Sequence, residues 1–258
     1  MTGSMIGCII QARMGSTRLP GKVMKKVFKD IPSLQHTIEQ LKFSKNIDKI
    51  VIATSDLQED DVIERFVEEQ NLECFRGSAE NVLDRYYQCA KLFGFTGIVR
   101  ITADCPLIDP YITDKVIQVF NDDELDYVPN VFPRTFPDGL ETEVIAFNAL
   151  EIAWKNAILP SEKEHVTPYF KNNKESFKIK NVENNTDLSH LRWTLDYQED
   201  LELIREVIKK IQKRPIEMED ILELFSKEPD LPKMNSGHAP NEGYQRSLEE
   251  DKKFLKKQ

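Results

Sequence analysis

Apolar runs of strand length alternate with helical stretches through the first half of the chain. Residues 5–12 are nearly all apolar, which is typical of a strand that is covered on both faces of a parallel sheet. Residues 47–54, 72–75 and 98–102 predict further strands, and segments with apolar residues at helical spacing separate them. Strands that alternate with helices of about ten or more residues indicate a mostly parallel α/β sheet with helices on both faces.

The alternation loosens in the second half, where residues 177–182 and 191–195 resemble a strand pair. We find no internal repeat and no Gly/Ser-rich linker that would separate a second domain. The pattern therefore predicts one domain over residues 5–228, with a smaller inserted lobe at about 127–190. A polar tail over residues 229–258 follows it.

Charge and composition exclude several classes of partner. The 258 residues include 35 Lys and Arg against 44 Asp and Glu, a net charge of −9, so the overall field repels nucleic acids and anionic membrane surfaces. No apolar run reaches the roughly 18 residues of a membrane span, and the start lacks a signal-peptide pattern. The 4 cysteines show no C-x-x-C spacing. We expect a cytoplasmic protein with reduced thiols and with no nucleic-acid or membrane partner.

A basic loop follows the first predicted strand. It reads Gln11-Ala-Arg-Met-Gly-Ser-Thr-Arg-Leu-Pro-Gly-Lys22 and combines three cations with glycines and hydroxyl side chains. Backbone N–H groups and fixed positive charge are what a triphosphate requires. The loop is not a P-loop, because five residues separate Gly15 from Gly21 and Val23 replaces the usual Ser or Thr. A solvated basic loop is the alternative, which the preceding buried strand and the acidic background disfavour.

This loop resembles the nucleotide loop of the CMP-KDO synthetase group of cytidylyltransferases, and it is closer still to the spore coat polysaccharide biosynthesis protein F subgroup. The other matching motifs are Arg76-Gly-Ser-x-x-Asn-Val-Leu-Asp-Arg-Tyr-Tyr87, Arg100-Ile-Thr-Ala-Asp-Cys-Pro-Leu-Ile-Asp109, Asp138-Gly-Leu-Glu-x-Glu143, Glu164-His-Val-Thr-Pro-Tyr169, Arg192-Trp-Thr-Leu-Asp196 and Asn241-Glu-Gly-Tyr244. The resemblance implies a Rossmann-like nucleotide-diphospho-sugar transferase fold. It also implies transfer of CMP from CTP with release of pyrophosphate.

Two aspartates are candidates for a metal site. Asp104 and Asp196 each follow an apolar run that would bring them to the edge of a sheet where ligands bind. Mg²⁺ prefers one or two carboxylates together with water and substrate oxygens. The resemblance implies that these two residues hold Mg²⁺, although either one alone would more often be a turn or helix cap.

Cations and donors of the first loop are expected to contact the nucleotide. We expect Arg13 and Lys22 to bind phosphates with help from Ser16 and Arg18, and the predicted catalytic set is Arg13, Lys22, Asp104 and Asp196. The predicted nucleotide-binding set is Ala12, Arg13, Gly15, Ser16, Thr17, Arg18, Lys22, Arg76, Ser78 and Thr102. The resemblance supplies the last three, and Thr102 stands where the KDO enzymes have glutamine, which leaves the base preference open.

An acceptor site is expected in the second half. Glu141 and Glu143 would share one face of an edge-like strand, where they could bind sugar hydroxyls, an amine or a second metal. His165 and Tyr169 would project together if their segment is helical, and Arg192 could bind an acceptor anion or pair with a local acid. The predicted acceptor-binding set is Asp138, Glu141, Glu143, His165, Tyr169 and Arg192.

These observations together predict a Mg²⁺-dependent cytidylyltransferase that acts on an acidic sugar or a phosphate- or phosphonate-bearing small molecule in surface polysaccharide or glycoconjugate biosynthesis. We also expect a homodimer, with the tail packed across the partner. One alternative is a glycosyltransferase of similar fold; such enzymes usually hold their metal with a D-x-D motif, and none occurs near residues 98–109. The other is an inactive nucleotide-binding module, which the intact set of cations and aspartates disfavours.

Overall fold

The structure is a computed structural model that describes residues 4–238 and 242–256. Within those residues, a six-stranded sheet has the order β5-β4-β1-β6-β8-β7, and β2 pairs with β3 separately. The strands are β1 (Ile6–Gln11), β2 (Lys26–Phe28), β3 (Ile31–Pro32), β4 (Lys49–Ser55), β5 (Glu73–Gly77), β6 (Gly97–Thr102), β7 (Tyr127–Pro129) and β8 (Glu143–Ala146). Strands β5, β4, β1 and β6 pair in parallel, and β8 is antiparallel to both of its neighbours. The predicted mostly parallel sheet is confirmed.

Helices cover both faces of this sheet. They are α1 (Ser33–Leu41), α2 (Asp61–Glu69), α3 (Val82–Phe93), α4 (Pro110–Asp122), α5 (Phe147–Asn156), α6 (Pro160–His165), α7 (Pro168–Asn172), α8 (Gln198–Lys210), α9 (Met218–Lys227) and α10 (Glu242–Leu255). Successive residues of β1 point to opposite faces. Cys8 and Ile10 are buried in the core with α1, α4 and α8, whereas Ile9 is buried in the core with α3 and α5. Two cores explain why the strand is apolar at consecutive positions.

Asp109 forms the predicted cap of α4. Its carboxylate accepts hydrogen bonds from the backbone N–H groups of Tyr111 at 2.8 Å and Ile112 at 3.2 Å, and Pro110 occupies the first turn. The same side chain also accepts from Met218 N at 2.8 Å. One carboxylate therefore joins the start of α4 to the start of α9, just beyond the carboxyl end of β6.

The predicted strand pair at residues 177–182 and 191–195 is wrong. These segments form only isolated bridges within the described part of the chain, between Tyr127 and Ile179 and between Asp138 and Arg192. Their alternating apolar residues serve core packing, because irregular chain inserts side chains such as the fully buried Trp193 into the core. The acidic strand also differs from expectation, since β8 begins only at Glu143 and lies between β6 and β7.

The predicted polar tail forms a helix that returns to the domain. Within α10, Asp251 Oδ1 accepts from Ser161 N at 2.9 Å, and Ser247 Oγ lies 2.9 Å from His165 Nε2. The described part of the tail thus packs against α6 of its own chain; Asn241 and residues 239–240 and 257–258 lie outside the described residues. Among the helices that the structure describes, none is long and apolar enough to cross a membrane. The predicted domain boundaries stay predictions.

Candidate active site

Three charged residues from distant parts of the chain meet beyond the carboxyl end of β6. Lys22 Nζ lies 2.5 Å from Asp104 Oδ2 and 2.7 Å from Asp196 Oδ1. Lys22 opens a short 3₁₀ turn directly after Gly21, whose φ of 66° favours glycine. The Lys22 side chain is only 12% exposed, against 24% for Asp104 and 14% for Asp196. The structure thus brings these three predicted site residues together.

Cations surround the Asp196 carboxylate. Arg18 Nη2 lies 2.6 Å from Oδ1, and Arg192 Nη2 lies 3.2 Å from Oδ2. Burial alone would raise the pKa of Asp196, but Lys22, Arg18 and Arg192 together lower it to about 2. Conversely, burial disfavours the charge of Lys22, yet the two carboxylates raise its pKa. Lys22 and Asp196 are therefore both charged at neutral pH.

The carboxylates of this cluster fit a Mg²⁺ ion in number and type. Asp104 and Asp196 converge on one point, since both contact the same ammonium group. Across residues 4–238 and 242–256, no group of three or more His, Cys, Asp or Glu side chains is arranged to hold a metal. Mg²⁺ commonly takes one or two carboxylates and completes its octahedron with water and phosphate oxygens, so this pair suffices. Asp104 and Asp196 are the residues that would hold the ion.

The loop between β1 and the 3₁₀ turn forms one wall of a first cavity of about 440 Å³. Its lining includes most of the predicted nucleotide-binding set, namely Ala12, Arg13, Gly15, Ser16, Thr17, Arg18, Lys22 and Thr102. The fully buried Asp60 shapes the loop, because its carboxylate accepts from Met14 N at 2.7 Å and from Ser55 N at 3.2 Å. Small residues and cations therefore face the cavity from a loop whose backbone is fixed.

Two predicted nucleotide residues lie outside this cavity. The guanidinium of Arg76 lies 2.5 Å from Asp61 Oδ1 and 2.7 Å from Glu64 Oε2, and its Nε donates to Ser55 O at 2.9 Å. Ser78 lines a neighbouring cavity that Arg13 also lines. Their assignment to the nucleotide stays a prediction, and in this structure Arg76 is engaged by acids of α2.

A second cavity of about 430 Å³ adjoins the first. It contains five of the six predicted acceptor residues, Asp138, Glu141, Glu143, His165 and Arg192. The two cavities share the lining residues Arg18, Arg100, Thr102, Asp104, His165 and Gly243. The cavities thus meet at Asp104, where a group bound in one can reach a group bound in the other.

Tyr169 does not join His165 in this cavity. Helix α6 ends at His165 and α7 begins at Pro168, so the two side chains do not lie on one helix as the spacing suggested. Val166 between them has a φ of 68°, which is unusual for a β-branched residue. The Tyr169 ring packs edge-on against Phe170 and Phe177 instead.

Ion pairs organise the acids of the second cavity. Arg134 contacts both Asp138, at 2.7 Å, and Glu141. Arg192 Nη1 lies 2.8 Å from Asp138 Oδ2. Burial raises the pKa of Glu141 to about 7, and the nearby Asp138 charge adds to the increase while Arg134 opposes it. Glu141 and Asp138 therefore share one cation, Arg134, and Arg192 is a further partner of Asp138.

Glu143 has a separate cation, which the sequence reasoning missed. Arg100 Nη1 lies 2.6 Å from Glu143 Oε2, because β6 and β8 place the two residues directly opposite each other. The Tyr127 hydroxyl also donates to this carboxylate. Glu143 is 3% exposed, and although burial disfavours its charge, Arg100 and its other partners lower its pKa. A signal was present in the sequence, since Arg100 interrupts the apolar run of β6 two residues before its end.

Sequence reasoning also missed two further contributors. Glu242 of α10 lies 3.4 Å from Arg18 Nη1 and accepts from the Tyr197 hydroxyl at 2.5 Å. Arg85 of α3 also lines the first cavity. Long-range packing places both residues, so local patterns give no signal for them.

The fold and site agree with comparisons to known proteins. Residues 7–247 match the family model described as cytidylyltransferase. The spore coat polysaccharide biosynthesis protein SpsF of Bacillus subtilis is 35% identical over 229 residues, which cover 86% of this chain and 94% of that protein. The predicted resemblance is confirmed.

Solved structures support the same assignment. A cytidylyltransferase from Leptospira borgpetersenii is 35% identical, with a TM-score of 0.85 over 92% of this chain and 99% of that one. The fold also matches that of CMP:2-keto-3-deoxy-manno-octonic acid synthetase complexed with CTP, with 17% identity and a TM-score of 0.62 over 80% of this chain and 99% of that one. The predictions of the fold class and of a nucleotidyltransferase are confirmed. The chain belongs to the cytidylyltransferase family.

Proposed function

We propose that this protein transfers CMP from CTP to an acidic sugar or a phosphate- or phosphonate-bearing small molecule and releases pyrophosphate, with Mg²⁺ as its cofactor. The observation that supports this reaction is the meeting of two cavities at Asp104, beside Lys22 and Asp196. One cavity has the glycines, hydroxyls and cations that phosphates need. The other has the cations Arg134, Lys171 and Arg192, which suit an anionic acceptor.

The chemistry follows from this arrangement. An acceptor oxygen in the second cavity attacks the α-phosphorus of CTP, a new P–O bond forms, and the bond to pyrophosphate breaks. An anionic phosphate or phosphonate oxygen has no proton to lose, and a sugar hydroxyl releases its proton to solvent. Arg13 and Lys22 neutralise the phosphates, while Arg18 supports the Asp196 carboxylate. When bound, Mg²⁺ supplies charge that polarises the phosphates and stabilises the leaving pyrophosphate. No covalent enzyme intermediate is needed, since catalysis rests on positioning and charge neutralisation.

A pyrophosphate-release assay tests the proposal. CTP, UTP, GTP and ATP are each offered with a panel of sugar acids and phosphonates. We expect release with CTP, and we expect Lys22→Ala to raise the CTP requirement and to lower turnover, with the exposed Lys26→Ala as a matched control. Unchanged kinetics in folded Lys22→Ala would contradict the proposed role. Release of a nucleoside diphosphate when nucleotide sugars replace the triphosphates as donors would indicate a glycosyltransferase. Tight CTP binding without turnover would indicate an inactive module.

The place of this reaction and the assembly of the protein are part of the proposal. We propose a role in surface polysaccharide or glycoconjugate biosynthesis, which the similarity to SpsF supports. We also propose a homodimer. Small-angle scattering over a range of concentrations tests the dimer, and a monomer mass at every concentration would contradict it.

A further inference from the structure

Arg85 is a buried cation on the wall of the first cavity. Its side chain projects from α3 and is 1% exposed. Its Nε and Nη1 atoms find no hydrogen-bond partner within the described ranges, and no ion pair to Arg85 occurs there. A buried guanidinium without partners is costly. Such a group on a cavity wall indicates that a ligand completes its hydrogen bonds.

The charged groups around Arg85 do not replace that ligand. Burial lowers the pKa of Arg85, and Arg13 lowers it further, whereas Asp60 and Asp56 raise it. The Asp60 carboxylate is already occupied by backbone N–H groups of Met14 and Ser55. The stem of Arg85 packs against Gly77, which has no side chain; a Cβ at Gly77 would lie only 3.2 Å from Arg85 Cγ. Packing therefore fixes the side chain in place while its head stays without a counter-ion.

A second unpartnered group defines the chemistry of this wall. Gln11, the last residue of β1, lines the same cavity, and its Oε1 atom is buried with no donor in the part of the chain that the structure describes. Arg85 offers only donors, whereas Gln11 Oε1 needs one. Phosphate oxygens could satisfy Arg85 but not Gln11. A ligand with acceptors next to an N–H donor satisfies both.

The position of this pair separates it from the transferred phosphate. Gln11 and Arg85 line the first cavity and not the second. The α-phosphate must lie where the cavities meet, because the acceptor attacks it there. The pair is thus available to the nucleoside, and cytosine presents the O2 and N3 acceptors beside an N4 amino donor. Uracil instead has an N3–H donor, which would face the donors of the guanidinium.

We propose that Arg85 binds the O2 and N3 edge of cytosine and that Gln11 accepts a hydrogen bond from its amino group, so that this pair selects CTP over UTP. The inference rests on the proposed use of CTP. It assigns base selection to residues other than Thr102 and Arg76. Arg76 is already engaged by Asp61 and Glu64.

Calorimetric titration of the full chain with CTP and with UTP tests the assignment and needs no acceptor. Arg85→Met keeps the apolar stem of the side chain but removes the guanidinium group. Arg85→Lys keeps the positive charge but lacks the paired N–H donors of the guanidinium. We expect both variants to bind CTP about ten- to a hundredfold more weakly, as loss of a bidentate base contact predicts. Their affinity for UTP should change little. Gln11→Leu should likewise reduce the preference for CTP, and the exposed Arg65→Met is the matched control.

Thermal unfolding without nucleotide gives a second readout. Because Arg85→Met removes an unpaired buried charge, the variant should melt at a higher temperature than the wild type. A lower melting temperature, unchanged CTP affinity, or equal losses of CTP and UTP affinity would each overturn the assignment. If the wild type itself binds no CTP, the proposed function fails. If it binds CTP and Arg85→Met binds equally well, only this inference fails.

Discussion

Replacement of Lys22 by Met tests how the central cluster is held together. Met is unbranched and of similar length, so the buried stem keeps its packing while the ammonium is lost. In the wild type, Lys22 Nζ contacts Asp104 at 2.5 Å and Asp196 at 2.7 Å. Without this ammonium group, the largely buried carboxylates of Asp104 and Asp196 face each other with no cation between them.

The size of the effect follows from these distances. Two like charges roughly 5 Å apart repel by about 3 kcal/mol at an effective dielectric constant of about 20. Removal of one partner from a buried ion pair typically costs about 3–5 kcal/mol. Arg18 and Arg192 still contact Asp196 and offset part of the loss. We therefore expect the free energy of unfolding of Lys22→Met to fall by about 3 kcal/mol at pH 7.

Urea unfolding in EDTA, followed by circular dichroism, measures this change. Lys26→Met is the matched control, because Lys26 contacts Asp30 at a similar 2.6 Å but on the surface, where such pairs contribute little. Mg²⁺ should then raise the melting temperature of Lys22→Met more than that of the wild type, since the carboxylates have lost their resident cation. Equal stability of Lys22→Met and wild type would refute the reasoning, as would an equal response to Mg²⁺.

Substitutions at three further positions probe the surroundings of the site. The pKa of Glu141 is raised to about 7, so its stabilising contribution is complete below the usual value near 4.5 and is lost as pH rises through 7. In urea unfolding, the free energy of unfolding of Glu141→Gln should therefore fall by about 3 kcal/mol less than that of the wild type between pH 5 and 8. An equal fall in the two proteins would contradict this. Gly139→Ala should lower the melting temperature by several degrees or prevent folding, because φ is 110° and a Cβ would lie 2.7 Å from Thr194 N; an unchanged melting curve would be inconsistent with that contact. Asp109→Ala should lower the free energy of unfolding, measured by chemical denaturation, by about 1–2 kcal/mol, because the cap on α4 and the hydrogen bond from Met218 N are lost. Asp109→Asn should lower it less, since an amide oxygen can still accept one of these hydrogen bonds.

The first half of the fold follows from the sequence because each β-α unit is encoded locally. β1 is apolar at consecutive positions, since Cys8 and Ile9 enter different cores, and the pattern needs no knowledge of distant residues. The loop after β1 and Asp104 are placed by the strands they follow, so one wall of the first cavity and the position of Asp104 beside it were predictable. Lys22 and Asp196 add long-range contacts that local patterns cannot show.

The second half resists prediction because irregular chain there serves both core and site. Residues 191–195 alternate like a strand, yet a single bridge from Arg192 to Asp138 is the pairing that the described residues form. The buried Trp193 supplies the apolar signal, while Arg192 faces the second cavity and pairs with Asp138. Along residues 191–195, successive side chains face the core and the cavity in turn, instead of the core and solvent. The sequence therefore shows the same two-residue alternation that a half-buried strand would show.

Arg76 and Arg85 show how the same residue type acquires opposite environments. Arg76 ends in a surface network because α2 places Asp61 and Glu64 within reach of it, and only the packing of α2 beside β5 brings them together. Arg85 directly follows Asp84 on α3, and Asp84 accepts from Trp154 Nε1 at 2.8 Å and from Gln88 Nε2 at 3.0 Å. Within the described residues no acid forms an ion pair with Arg85. A cation that neither solvent nor a carboxylate neutralises keeps its hydrogen-bonding capacity for a ligand, so the buried and unpaired arginine is the better candidate for base selection.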